Sequence, residues 1–129
     1  MYKFGETSKK RLEGVHPKLI YTAETALSYG VLDLTVVPYG GLRTIDDQKD
    51  LVARGASQTM RSKHLPQNDG YGHAVDLAPY PVDWLDIPRF VMAGSLMFRA
   101  AAEHGLILRW GGHWRNFKDY PHFEIVKIL

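Results

Sequence analysis

The chain has 129 residues and a mass of 14.6 kDa, with 45% apolar, 12% aromatic and 23% charged residues, which suits one globular domain over residues 1–129. Sixteen Lys and Arg against fourteen Asp and Glu leave a net charge of +2, and apart from Lys9-Lys10-Arg11 the basic residues are scattered, so no nucleic-acid stripe is expected. The absence of cysteine excludes thiol nucleophiles, thiolate-bound zinc and disulfides together, and no apolar run has the length of a membrane span or a signal core.

Proline and glycine punctuate periodic segments. Leu19, Ile20, Ala23, Ala26 and Leu27 recur at helical spacing between Pro17 and Gly30. Lys9-Lys10-Arg11 reads as a solvated helix entry. A β-branched run from Leu34 to Tyr39 reads as a strand that turns at Gly40-Gly41, and Thr44 with Asp47 forms a capping signal for a helix carrying Leu51 and Val52. After a Gly- and polar-rich stretch from Gly55 to Gly72, Ala74–Ala78 reads as a short buried strand. Pro88 opens the longest helical pattern, which closes at His104-Gly105. Leu106–Trp110 and His122–Val126 are the last strand candidates, on either side of an aromatic loop from Gly111 to Pro121. The class expected is α+β, with a small, mainly antiparallel sheet flanked by helices.

Asp76 carries the first chemical signal. A carboxylate within Ala74-Val75-Asp76-Leu77-Ala78 would be buried at a cost of several kcal/mol unless it is paired or bound to a metal. Bonding to backbone amides or an arginine would also satisfy it. His64 precedes this strand and His122 begins the last one. Two imidazoles and a carboxylate from separate elements form a common catalytic zinc shell with a fourth position left for water. Spacing alone does not choose among six histidines. His16 and His104 read as structural, and alternation turns His73 away from Asp76.

Ser62-Lys63-His64, Gly72-His73-Ala74-Val75-Asp76 and Asp119-Tyr120-Pro121-His122 together resemble the zinc D-Ala-D-Ala carboxypeptidases and L-alanyl-D-glutamate endopeptidases of peptidoglycan. That family shows S-x-H, a Gly-x-Ala-x-Asp close behind, and an acidic residue three positions before a late His. Tyr39–Gln48 resembles its upstream Arg…Gln segment and Trp110–Trp114 its loop before the last ligand, so the likeness spans roughly residues 10 to 128, most closely to the compact phage endolysins. The resemblance implies a hedgehog/D-Ala-D-Ala-peptidase-like fold with Zn2+ on His64, Asp76 and His122. It implies Asp119 as general base and Arg43 as the clamp on substrate and transition state. Ser62, His113 and Glu124 are candidates for substrate contact or ligand support, Glu124 because it shares a strand face with His122. Gln48 is read as a backbone-orienting residue rather than a catalytic one.

Two departures stand out: about five extra residues lie between His64 and Gly72, and His113 occupies a position that is often Asp in relatives. The expected function is a phage endolysin that cuts a stem-peptide amide, with the L-alanyl-D-glutamate bond favoured. A D-Ala-D-Ala carboxypeptidase or dipeptidase, or a non-catalytic wall-binding domain on the same scaffold, are the alternatives. The resemblance further implies a monomer that accumulates in the host cytoplasm without a signal peptide and reaches the wall through a holin-type partner. Neither nucleic-acid binding nor membrane insertion is expected.

Overall fold

Each long helix begins where its sequence supplies a cap. In the computed structural model, which describes residues 1–129, α2 (Pro17–Ser28) starts at Pro17, and His16 Nδ1 accepts the Lys18 amide at 3.1 Å. Helix α3 (Ile45–Ala53) starts from the reciprocal box in which Thr44 and Asp47 satisfy each other's backbone amides. Helix α4 (Ile87–Glu103) carries Pro88 in its first turn and ends at His104, before Gly105 in the left-handed region. A seven-residue helix, α1 (Glu6–Leu12), precedes them. Lys9-Lys10-Arg11 is thus the last turn of a separate helix and not an entry into α2. Nor is Arg11 merely solvated, since its Nη1 donates to the Val36 carbonyl at 2.8 Å.

Strands β1 (Leu34–Val36), β2 (Ala74–Pro79), β3 (Leu106–Trp110) and β4 (His122–Ile128) form one antiparallel sheet in the order β1-β2-β4-β3. Strand β1 is shorter than the β-branched run, because Pro38 has no amide to donate and Tyr39 turns left-handed at φ 59°. β4 instead runs two residues further than expected, paired along β3.

The two-residue period of the strands separates core from site. Val75, Leu77, Phe123 and Ile125 face the main core with Leu19, Leu27, Ala93, Met97 and Trp110 from the helices and β3. Asp76, His122 and Glu124 occupy the alternate positions of β2 and β4. All six residues of β2 are buried, because the chain after β1 folds back over its second face: Asp76 donates its amide to Gly40 O at 2.8 Å, and Val37 donates to Asp76 O at 3.2 Å.

That return depends on glycine. A Cβ on Gly41 would lie 1.8 Å from Arg11 O, and one on Gly40 would lie 2.7 Å from Val37 O. Gly41→Ala is therefore expected to destabilise the protein by about 1–3 kcal/mol, typical of forced overpacking, seen as a lowered Tm in thermal unfolding. An unchanged Tm would show that the α1 end moves aside freely.

Candidate active site

Strand register makes the first contact of the site. Asp76 and His122 are direct cross-strand partners, which brings His122 Nδ1 to 3.0 Å from Asp76 Oδ1. His64, almost wholly buried, enters from the preceding loop with Nε2 3.2 Å from the same oxygen and 3.3 Å from His122 Nδ1. The other nitrogen of each ring has a fixed partner. His64 Nδ1 donates to the Gly41 carbonyl at 2.8 Å, and His122 Nε2 donates to Glu124 Oε1 at 2.8 Å. In the neutral rings, both remaining lone pairs point at a carboxylate. Three acceptors within 4.8 Å of one another call for a cation between them, and two imidazoles with one carboxylate are a donor set suited to a metal ion.

Electrostatics express the same demand. Burial opposes ionisation of Asp76, but the two imidazoles override it and hold its pKa far below the ordinary carboxylate range. Burial also pulls His122 down, yet hydrogen bonds to Asp76 and Glu124 outweigh it and push the ring up to about 9. With no metal, a proton on His122 fills the gap. Because this folded-state pKa lies above the unfolded value of about 6.5, the stability it contributes is complete below pH 6.5 and is lost as pH rises through 9. The Tm of chelated protein is thus expected to fall across that window, and His122→Asn to flatten the decline. An equally steep decline in the variant would assign the effect to another group.

Arg43 is held on three sides. Its Nε donates to Tyr39 O at 2.7 Å, Nη1 to Gln48 Oε1 at 3.0 Å and Nη2 to Asp76 Oδ2 at 3.2 Å. Gln48, fully buried on α3, also donates through Nε2 to Ser57 Oγ at 2.8 Å and Thr59 O at 2.7 Å. Gln48 therefore orients a charged side chain as well as backbone, which its sequence reading missed. The available signal was a polar residue on the face that α3 buries with Leu51.

Asp119 stands at the end of the aromatic loop. Its amide donates to Gly111 O at 3.0 Å and its carbonyl accepts from His122 N at 3.1 Å. A Cβ on Gly111 would lie 2.2 Å from Asp119 O, so glycine is what lets the two loop ends meet. The carboxylate of Asp119 has no hydrogen-bond partner in the protein and lines the same cleft as His64, Asp76 and His122, a concavity of about 590 Å³. Burial, then the neighbouring Asp76 charge, raise its pKa above the ordinary range.

The remaining candidates separate. Ser62 lines the cleft and its Oγ accepts the His64 amide at 3.1 Å. Glu124 holds His122 as described and lies 3.5 Å from Arg109 Nη1. His113 does not line the cleft: a 3-10 turn over Gly111–His113 sends its ring onto Phe98 of α4, with centroids 5.7 Å apart. Trp114 lies over His122 at 5.1 Å and forms part of the cleft wall. His73 donates to Asp69 at 2.7 Å and His104 Nε2 lies 2.6 Å from Thr25 Oγ1, both outside the cluster.

Two buried imidazoles and a carboxylate meeting beside an unpartnered carboxylate, in a cleft of small-ligand size, define a metallohydrolase-type site on an α+β frame. The chain belongs to the phage L-alanyl-D-glutamate peptidase family, whose model matches residues 1–127. It is 35% identical over 91 residues to the L-alanyl-D-glutamate peptidase of Listeria phage A118, covering 70% of this chain but only 30% of that relative's length. The crystal structure of the Serratia marcescens L-Ala D-Glu endopeptidase ChiX superposes with a TM-score of 0.81 at 37% identity, over 96% of this chain and 90% of that one.

Proposed function

We propose that this chain is a zinc-dependent phage endolysin that hydrolyses the amide between L-alanine and D-glutamate in the peptidoglycan stem peptide. The observation that carries the reading is the meeting of three lone-pair donors, His64 Nε2, Asp76 Oδ1 and His122 Nδ1, in a cleft with the unpartnered Asp119. Family membership and the two named relatives supply the bond. A nitrogen-nitrogen-oxygen set of three protein ligands fits catalytic zinc. When bound, zinc supplies Lewis acidity, making water a stronger acid and an amide carbonyl a better electrophile.

The protein's own groups do the rest. Glu124 and the Gly41 carbonyl fix the orientation of His122 and His64 and so aim the lone pairs of the two rings. Asp119 takes a proton from the attacking water and delivers it to the departing amine, while the water oxygen joins the carbonyl carbon as the C–N bond breaks. Its raised pKa lies closer to neutral operating pH than that of an exposed carboxylate. Arg43 has five N–H groups, and its three contacts leave others for negative charge on the substrate. Arg43→Ala is expected to retain the metal but lower turnover by about a hundred- to a thousandfold. A wild-type cleavage rate in that variant would remove Arg43 from the mechanism.

No helix is long and apolar enough to cross a membrane. Within this reading the enzyme acts as a monomer, and a holin-type partner lets it pass from the host cytoplasm to the wall. The deciding experiment is incubation with purified peptidoglycan and identification of the newly exposed termini by mass spectrometry. New L-alanine carboxyl termini paired with new D-glutamate amino termini are expected. Released D-alanine would assign a carboxypeptidase, and binding without new termini a non-catalytic module.

A further inference from the structure

The cleft holds more positive charge than the proposed chemistry uses. Three carboxylates line it, those of Asp76, Asp119 and Glu124. A divalent ion together with Arg43 balances them. Arg61 and Lys63 line the same cleft and are left over, since neither forms an ion pair with any protein carboxylate. Their segment is tied down on both sides. Gln48 holds Thr59 O, the Arg61 amide donates to Thr59 Oγ1 at 2.9 Å, and His73 donates its amide to Lys63 O at 2.8 Å.

Two cationic side chains without a carboxylate partner, carried at the cleft wall by a segment whose backbone is anchored, suit an anionic ligand. The relatives' names give one: glutamate linked through its amine to alanine has two carboxyl groups, and continuation of the chain through one leaves the other free, a few bonds from the scissile amide. We propose that Arg61 and Lys63 form the subsite for this free glutamate carboxylate, on the leaving-amine side of the bond. The inference rests on the endopeptidase reading and adds to it the feature by which the substrate is chosen. Arg61 presents a planar fork able to bind a carboxylate in two-point fashion, and Lys63 adds a compact charge.

The test compares two purified stem peptides that differ in one group, the free glutamate carboxylate or its carboxamide. The wild type is expected to prefer the carboxylate. Arg61→Ala with Lys63→Ala should lose roughly ten- to a hundredfold in kcat/KM on the carboxylate peptide, mostly through KM, and little on the carboxamide. Arg61→Lys and Lys63→Arg, which keep the charge, should recover most of the loss. Metal content is measured on every variant, and Arg61→Gln with Lys63→Gln replaces the alanine pair if that pair fails to fold. Unchanged kinetics on the carboxylate peptide, or equal losses on both peptides with metal intact, would overturn the subsite while leaving the endopeptidase reading in place. A wild type that cleaves neither peptide would remove that reading, and the subsite with it.

Discussion

Asp119→Asn is expected to lower cleavage by at least about a hundredfold while metal content, Tm and peptidoglycan binding stay near wild type. The amide keeps the shape of the carboxylate. Both hydrogen bonds that place residue 119 run through its backbone, to Gly111 O and from His122 N, so the loop has no reason to move. The lost property is the ability to accept a proton at neutral pH. Cleavage rate, zinc content and retention on insoluble peptidoglycan measured on one preparation separate the outcomes. Near-normal cleavage with metal intact would exclude Asp119 as the base, and loss of metal would make it a ligand or a support for one.

With zinc held by His64, Asp76 and His122 as proposed, its removal is expected to abolish activity. Exhaustive chelation should leave folded, inactive protein that zinc restores. His122→Ala should fail to recover, since it deletes one of three ligand atoms and leaves Asp76 and Glu124 buried with no imidazole between them. Stranding buried charge in this way typically costs about 3–5 kcal/mol, so a large fall in Tm should accompany the loss of metal. Activity after complete chelation, or undiminished zinc in His122→Ala, would contradict the ligand assignment.

The parts of this site that sit on strands were the most legible in the sequence. Asp76 in an apolar run breaks a simple rule about burial, and strand alternation alone sets Glu124 beside His122. Pro17, Pro88, Gly30 and Gly105 mark helix ends through local backbone constraints, which do not need a tertiary context. Residues whose roles arise from distant packing were harder to read. α1 buries only Ser8 and Leu12, too few positions to show a period, and Arg11 finds its acceptor 25 residues away on β1. Gln48 lies in an unremarkable amphipathic helix until the fold brings Arg43 and Thr59 to it. His113 was equally hard to place, because its motif position is close to Asp119 in sequence while a single tight turn directs its ring onto Phe98.

The cross-strand pairing of Asp76 with His122 bears on how chains of this kind can change in length. Forty-five residues separate the two in sequence, including all of α4 and β3, yet their separation in space is set by one rung of a ladder. Segments that cross the surface between these two strands can therefore lengthen or shorten without displacing either side chain. A single residue inserted within Ala74–Pro79 or His122–Ile128 has the reverse effect. It turns every following side chain of that strand to the opposite face, so that a cleft-facing position becomes a core position in one step. Variation in this architecture is thus channelled into the loops around the cleft and kept out of the two strands that hold its centre.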